Sequence, residues 1–229
     1  MKLLAGLFCA VLLASPMLFS QVLAAPPLPA NARGARAVQD YLRQMQAEEG
    51  RDRDERVAAR LDALENNPGS PVIANPQGYL TIVAFFDYTC PYCKAAEPRL
   101  MRLVDKDKRV KLVMKEFPIL TRASAIASRA ALASMKQGKY RAFHIALMRR
   151  DGVLDEAGIF ETARAVGLDV GRLRRDMAAP EVSDEIIANF NLARGIRIFQ
   201  TPAYIVAGHL VTGDSAGIDF SRELTRAKH

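Results

Sequence analysis

The chain has 229 residues, 50% of them hydrophobic and 25% charged, and a formal net charge of +7. That length buries a core without a covalent staple, as one domain or as a core carrying an insertion, and its three cysteines are too few for a structural disulfide framework. The basic excess is modest, and the paired arginines at 149–150 and 174–175 read as solvated surface rather than a nucleic-acid footprint. At the N-terminus, Lys2 precedes an apolar run over residues 3–19, and Val22-Leu23-Ala24 carries the small residues of a cleavage site. Residues 1–24 therefore read as a secretory signal, cut after about Ala24. An uncleaved anchor is the competing reading, since residues 3–25 approach the about 20 needed to span a bilayer; Pro16, Ser20 and Gln21 favour cleavage. Phe8 before Cys9 does not suit lipid attachment, so Cys9 leaves with the signal and Cys90 and Cys93 remain as the mature chain's thiols.

Residues 25–68 read as a linker, marked by Pro26, Pro27 and Pro29, followed by a helical segment over 32–65. Val38, Tyr41, Leu42 and Met45 fall at helical spacing, as do Val57, Leu61 and Leu64, with Gly50 and a charge cluster over 51–56 between them. Two short helices or one interrupted helix fit, and the thin apolar stripe packs either on its own protein or on a copy of itself. Residues 66–71 break the chain, and the domain proper starts at 69. Residues 79–86 predict a buried strand; the cysteines follow, with Pro91 suited to the first turn of a helix that Ala96, Leu100 and Val104 continue. Residues 110–117 predict a second strand, and 121–194 a helical stretch that no strand interrupts. Thr201-Pro202 then leads into a strand over 203–207, a turn at Gly208, a short partner strand over 210–212 and a last helix over 218–227. This alternation is α/β, with a helical block set into it.

The chemistry concentrates at Cys90-Pro91-Tyr92-Cys93. A thiolate, not a thiol, attacks a disulfide, and the free N–H groups and dipole of a helix start favour a thiolate at Cys90. A helical turn brings positions i and i+3 together, so Cys93 can bond to Cys90, and it is the more buried of the two. Cys90 then attacks and Cys93 resolves, while Pro91 stiffens the turn. Zinc needs two more ligands, and His144, His209 and His229 are scattered; Lys94 stands where haem attachment needs histidine. Two thiolates also suit copper(I), but the methionines offer no cluster to support such a site. Asp87 reads as a cap or a solvent-facing anion near the helix start in preference to a proton acceptor for the inner thiol.

The run from Phe85 through Asp87, Cys90 and Cys93 to Lys94 resembles the DsbA-like family of bacterial periplasmic disulfide oxidoreductases, and the likeness continues in further blocks. These are residues 115–120, Gly138-Lys139-Tyr140 with Phe143-His144, and Thr201-Pro202-Ala203. Within that family the chain is most similar to the CPYC branch with an N-terminal helical extension, which includes the suppressor-of-copper-sensitivity C proteins and related isomerases. The resemblance implies a thioredoxin-like core at 69–120 and 196–229, an inserted helical domain at 121–195, and a substrate-binding cis-proline loop at Thr201-Pro202 facing the cysteines. It further implies a periplasmic protein disulfide oxidoreductase or isomerase with no cofactor beyond the redox-active Cys90–Cys93 disulfide. Unfolded or misoxidised exported proteins would be its substrates and a membrane protein its redox partner, with a homo-oligomer possible through residues 32–65. Self-association would shield the site from a membrane oxidase and favour isomerase or reductase work; a monomer would favour dithiol oxidase work. Two departures stand out: Ala84 where the family carries a glutamate, and Gln200 where a glycine usually precedes Thr-Pro. A copper(I) carrier or a chaperone is the alternative of another class. A cytosolic glutaredoxin, suggested by the tetrapeptide alone, conflicts with the signal and the helical insertion.

Overall fold

The computed structural model describes residues 32–211 and 218–226. The expected signal, Cys9 and the expected proline linker lie outside the described residues, as do Thr212 of the expected hairpin and Ala227 of the expected last helix. The chain divides into two compact units, Met1–Gln46 and Ala47–His229. Among the described residues no helix is long and apolar enough to cross a membrane.

Helix α1 runs over Ala32–Ala58 and α2 over Leu61–Glu65. The expected interruption at Gly50 and the charge cluster is not there. Gly50 has open space around it, and Asp52 and Arg56 pair one helical turn apart, carrying the helix through the cluster. The break comes instead at Ala59 and Arg60, where Arg60 leaves helical geometry, and it lets Val57 and Leu64 both bury completely. The contact boundary falls after Gln46, and Val57 and Leu64 belong to the core beneath the sheet.

The sheet has the order β2-β1-β3-β4. Strand β1 is Leu80–Phe86, β2 is Val110–Glu116, β3 is Ala203–Val206 and β4 is His209–Val211. β1 and β2 pair in parallel through the crossover helix α3, Pro91–Lys106, while β3 runs antiparallel to both β1 and β4. Alternate residues of β1 serve two cores: Ile82, Ala84 and Phe86 face α3 and the inserted helices, and Val83 and Phe85 face Val57, Leu64 and Ile196. The insertion comprises α4 (Arg122–Ser134), α5 (Tyr140–Arg149), α6 (Glu156–Ala165), α7 (Val170–Asp176) and α8 (Pro180–Gly195), and α9 (Phe220–Arg226) closes the described chain. Ala207 and Gly208 both have positive φ, so the β3–β4 turn is the two-residue kind whose twist matches a hairpin; the expected strand therefore stops one residue early, at Val206.

Candidate active site

β1 ends at Phe86 and delivers the chain to the start of α3, where Cys90 is the N-cap and Pro91 occupies the first turn. The Cys90 sulfur accepts from the Cys93 backbone N–H at 3.4 Å and, when protonated, donates to the Thr201 carbonyl at 3.3 Å. The Thr201–Pro202 bond is cis, and this loop, leading into β3, is what brings Thr201 over the sulfurs. The Thr201 hydroxyl is buried without a conventional partner, and it favours the anionic form of both sulfurs. Tyr92 stands 61% exposed beside the pair, whereas Cys90 and Cys93 are each only 3% exposed.

Both residues are nearly closed to solvent, yet the Cys93 sulfur sits the deeper of the two, as the sequence reading expects, and their electrostatics part accordingly. The Cys90 thiol is brought down to about 6, first by the Cys93 thiol facing it, with Thr201 and the amides of Cys93 and Tyr92 adding to this against the opposing effect of burial. Burial pushes the Cys93 thiol far above the ordinary range, and the neighbouring Cys90 reinforces it. One sulfur is thus an anion near neutral pH and the other a thiol.

Asp87 neither caps α3 nor faces solvent, contrary to the sequence expectation. It is fully buried. Its carboxylate accepts from the Thr89 amide and hydroxyl, the Leu120 amide and the Ser124 hydroxyl, at 2.7 to 3.0 Å. These bonds fasten the turn before Cys90 to the start of α4, whose own cap is Thr121, and a carboxylate with so many donors is well compensated for its burial. Lys94 donates to the Arg150 carbonyl at 2.6 Å, tying α3 to the end of α5.

Beneath α3 lies a second buried polar cluster. Tyr88 and Tyr140 both donate to one carboxylate oxygen of Glu116, at 3.0 and 2.7 Å. Tyr88 Oη lies 3.0 Å from His144 Nδ1, and His144 Nε2 lies 3.1 Å from Glu97 Oε1. Burial raises Glu116 to about 7 and pushes both phenols well up, with Glu116 adding to the effect. The sequence reading met His144 as a scattered histidine and, like Tyr140 and Glu116, as part of blocks that resemble the family, but it gave none of them a role and did not single out Glu97. A signal existed: Glu97 shares the helical stripe of Cys93, Leu100 and Val104, and Glu116 ends an apolar strand. At position 84, where the family would offer a carboxylate, Ala84 is packed between Met114 and Tyr204.

Two sulfurs on the first turn of a helix, facing a cis-proline loop at the end of a four-stranded mixed sheet, define a thioredoxin-like α/β protein with a dithiol site. Residues 81–224, more than half the chain, match the DSBA-like thioredoxin domain, and the chain belongs to this DsbA-like thiol–disulfide oxidoreductase family. A thioredoxin-like oxidoreductase from Silicibacter pomeroyi is 45% identical in sequence, with a TM-score of 0.69 over 73% of this chain and 96% of that one. The catalytic domain of Proteus mirabilis ScsC is 26% identical, with a TM-score of 0.68 over 76% and 97%. The thiol:disulfide interchange protein DsbA of Bordetella parapertussis is 25% identical over 171 residues, 69% of this chain and 78% of that protein. The Na(+)/H(+) antiporter NhaA 3 of Salinispora tropica is 28% identical over 131 residues, 56% of this chain, and the chain spans only 20% of that protein's length.

Proposed function

We propose that the protein exchanges disulfides with exported proteins in the periplasm through Cys90 and Cys93, and that it needs no cofactor beyond the bond the two form. The carrying observation is the opposite displacement of the two thiols, Cys90 down to about 6 and Cys93 upward, at the opening turn of one helix. A Cys90 thiolate attacks a client disulfide; one client sulfur leaves as a thiolate, and a mixed disulfide remains on Cys90. Cys93 then displaces the second client sulfur, closing the Cys90–Cys93 bond and leaving the client with two reduced sulfurs. The reverse sequence installs a disulfide. The cis-proline loop supports client docking: its backbone beside Cys90 offers an edge for an extended segment to lie along, with Thr201 and Pro202 as the contact. We place isomerase or reductase work ahead of oxidase work, on the ground that Tyr41, Leu42 and Met45 of α1 are 47%, 51% and 40% exposed and offer a face for a second copy.

Reduction of an insulin disulfide tests the reading. The wild type should turn insulin over and Cys90→Ser should not, while Cys93→Ser should accumulate clients covalently held on Cys90. Equal turnover by wild type and Cys90→Ser would defeat the proposal and leave a copper(I) carrier or a chaperone to be tried, with copper titration as the check.

A further inference from the structure

The turn that delivers Cys90 closes on Asp87, whose carbonyl accepts from the Cys90 amide at 3.1 Å. The Asp87 carboxylate holds the same turn from inside: the Thr89 amide and hydroxyl donate to Oδ1 at 2.7 and 2.9 Å. Oδ1 also accepts from Ser124 Oγ at 2.7 Å, and Oδ2 accepts from the Leu120 amide at 3.0 Å. These last two donors stand at the start of the inserted helices, where the dipole of α4 favours an anion. Ser124 is itself fixed, since its amide donates to the N-cap hydroxyl of Thr121 at 3.0 Å and the two hydroxyls lie 2.9 Å apart. Asp87 and Ser124 are both fully buried.

The bonds from Thr89 alone would shape the turn, because an aspartate side chain accepting from the amide two residues on is a turn in itself. The bonds to Leu120 and Ser124 add a grip from outside the turn, and what they immobilise is the Asp87 backbone. Its N–H donates to the Cys93 sulfur and, with the Thr201 hydroxyl, favours the anionic form there, while burial opposes that form. A hydrogen bond to sulfur strengthens as the sulfur turns from thiol to anion. An amide held in place beforehand therefore acts on the barrier more than on the resting thiol.

We propose that Asp87 is a positioning residue for the resolving step: its carboxylate, gripped by the first residues of the insertion, keeps its own backbone N–H on the Cys93 sulfur while that sulfur carries charge. The inference rests on the exchange reaction proposed above and brings the inserted helices into it, through Leu120 and Ser124. In the resolving step the Cys93 S–H bond breaks and its electron pair forms the bond to Cys90. The client sulfur leaves with the pair of the bond that breaks, and the proton ends on that sulfur. Attack by a client thiolate on the Cys90–Cys93 bond runs the same exchange backward, and the departing Cys93 sulfur meets the same amide. Asp87 serves here by the bonds it accepts and carries no proton.

The two steps separate when the reduced full chain, bearing Cys9→Ser so that Cys90 and Cys93 are its thiols, meets one equivalent of 5,5′-dithiobis(2-nitrobenzoate). The first nitrothiobenzoate released reports attack by Cys90, and the second reports closure by Cys93. Asp87→Asn keeps the side-chain shape but turns an NH2 group toward one of the four donors. Its first phase should stay within about threefold of the parent, while the second should slow at least about tenfold, short of the about 10²- to 10³-fold of an oxyanion donor removed outright. The first phase is spared because the Cys90 anion is held by Cys93, Thr201 and Tyr92. Ser124→Ala, more than thirty residues from the cysteines, should slow the second phase alone. Combined with Asp87→Asn it should add nothing, since both act through one carboxylate. A second phase at the parent rate in Asp87→Asn overturns the inference, and so does slowing of both phases by one common factor, the mark of general loosening. A parent chain with no second phase overturns the exchange reading itself. Should Asp87→Asn not fold, Ser124→Ala decides: a slowed second phase with the first intact supports the proposal, and an unchanged second phase overturns it.

Discussion

Cys90 and Cys93 share a helix turn, a residue type and an accessibility of 3%, yet they titrate in opposite directions because one sulfur receives hydrogen bonds and the other receives mainly burial. The Cys90 thiol is depressed from 9.0 to about 6 in the folded protein, so alkylation of Cys90 in the reduced wild-type chain by iodoacetamide, read by mass spectrometry, should reach half its maximal rate near pH 6. A midpoint above pH 8 would show that the helix start does not hold the anion. The same displacement makes stability depend on pH in the reduced form alone. A depressed acid contributes stability that is fully present above its unfolded value and is lost as pH falls through its folded value. The reduced protein should therefore gain stability over the oxidised one from about pH 6 to about pH 9, and the gap should be flat below pH 6. Thermal melts of both forms across that range check this. Cys93 has the opposite sign and weakens the reduced form only above the ordinary thiol range, leaving the window intact.

At the scale of elements, α2 is five residues long and too short to persist by propensity. It stays because Leu64 is fully buried with Val83, Phe85 and Ile205 beneath the sheet. Its end is also held from β2, where Lys115 Nζ donates to the Ala63 carbonyl at 3.0 Å and to Ser70 Oγ at 2.6 Å, and Ser70 donates to Glu185 on α8 at 2.6 Å. Burial brings Lys115 down to about 8, so β2 carries a buried base on one face and, at Glu116, a buried acid on the other. Leu64→Ala should cost about 2–5 kcal/mol, the range for a large-to-small change in a filled core. Urea unfolding measures it, and a loss below about 1 kcal/mol would mean that α2 is an appendage after all.

At the scale of the whole molecule, the question is what residues 32–46 do. Their described exposed apolar groups, Tyr41, Leu42 and Met45, lie within the unit Met1–Gln46, and the Asp40–Arg43 pair is solvent-exposed, which is worth little. Since Val57 and Leu64 are core residues, deleting 32–65 would damage the body; substituting the stripe in the full chain is the cleaner experiment. If the stripe holds copies together, Tyr41→Gln with Leu42→Gln and Met45→Gln should convert an oligomer to a monomer by light scattering, with the Cys90 titration unchanged. A wild type that is already monomeric would remove the ground for placing isomerase or reductase work ahead of oxidase work.

The α/β order, the strand before the cysteines, the helix opened by Pro91 and the helical block were legible in the residues, because strand composition, helical spacing and proline placement are local properties of a chain. The centre of the candidate site could be proposed from the residues as well, since a thiol pair three apart at a helix start brings much of its own electrostatics. Local spacing could not show that the helix passes through Gly50, because a glycine with open space around it and an ion pair across the same turn leave the helix unbroken. Nor could it show that Asp87 turns inward: two of its four donors come from Leu120 and Ser124, more than thirty residues away. The cluster of Glu97, His144, Tyr88 and Glu116 is assembled from α3, α5, the loop after β1 and the end of β2. Hydrogen-bond partners so distant in sequence are chosen by packing, and packing exists only once the chain has folded.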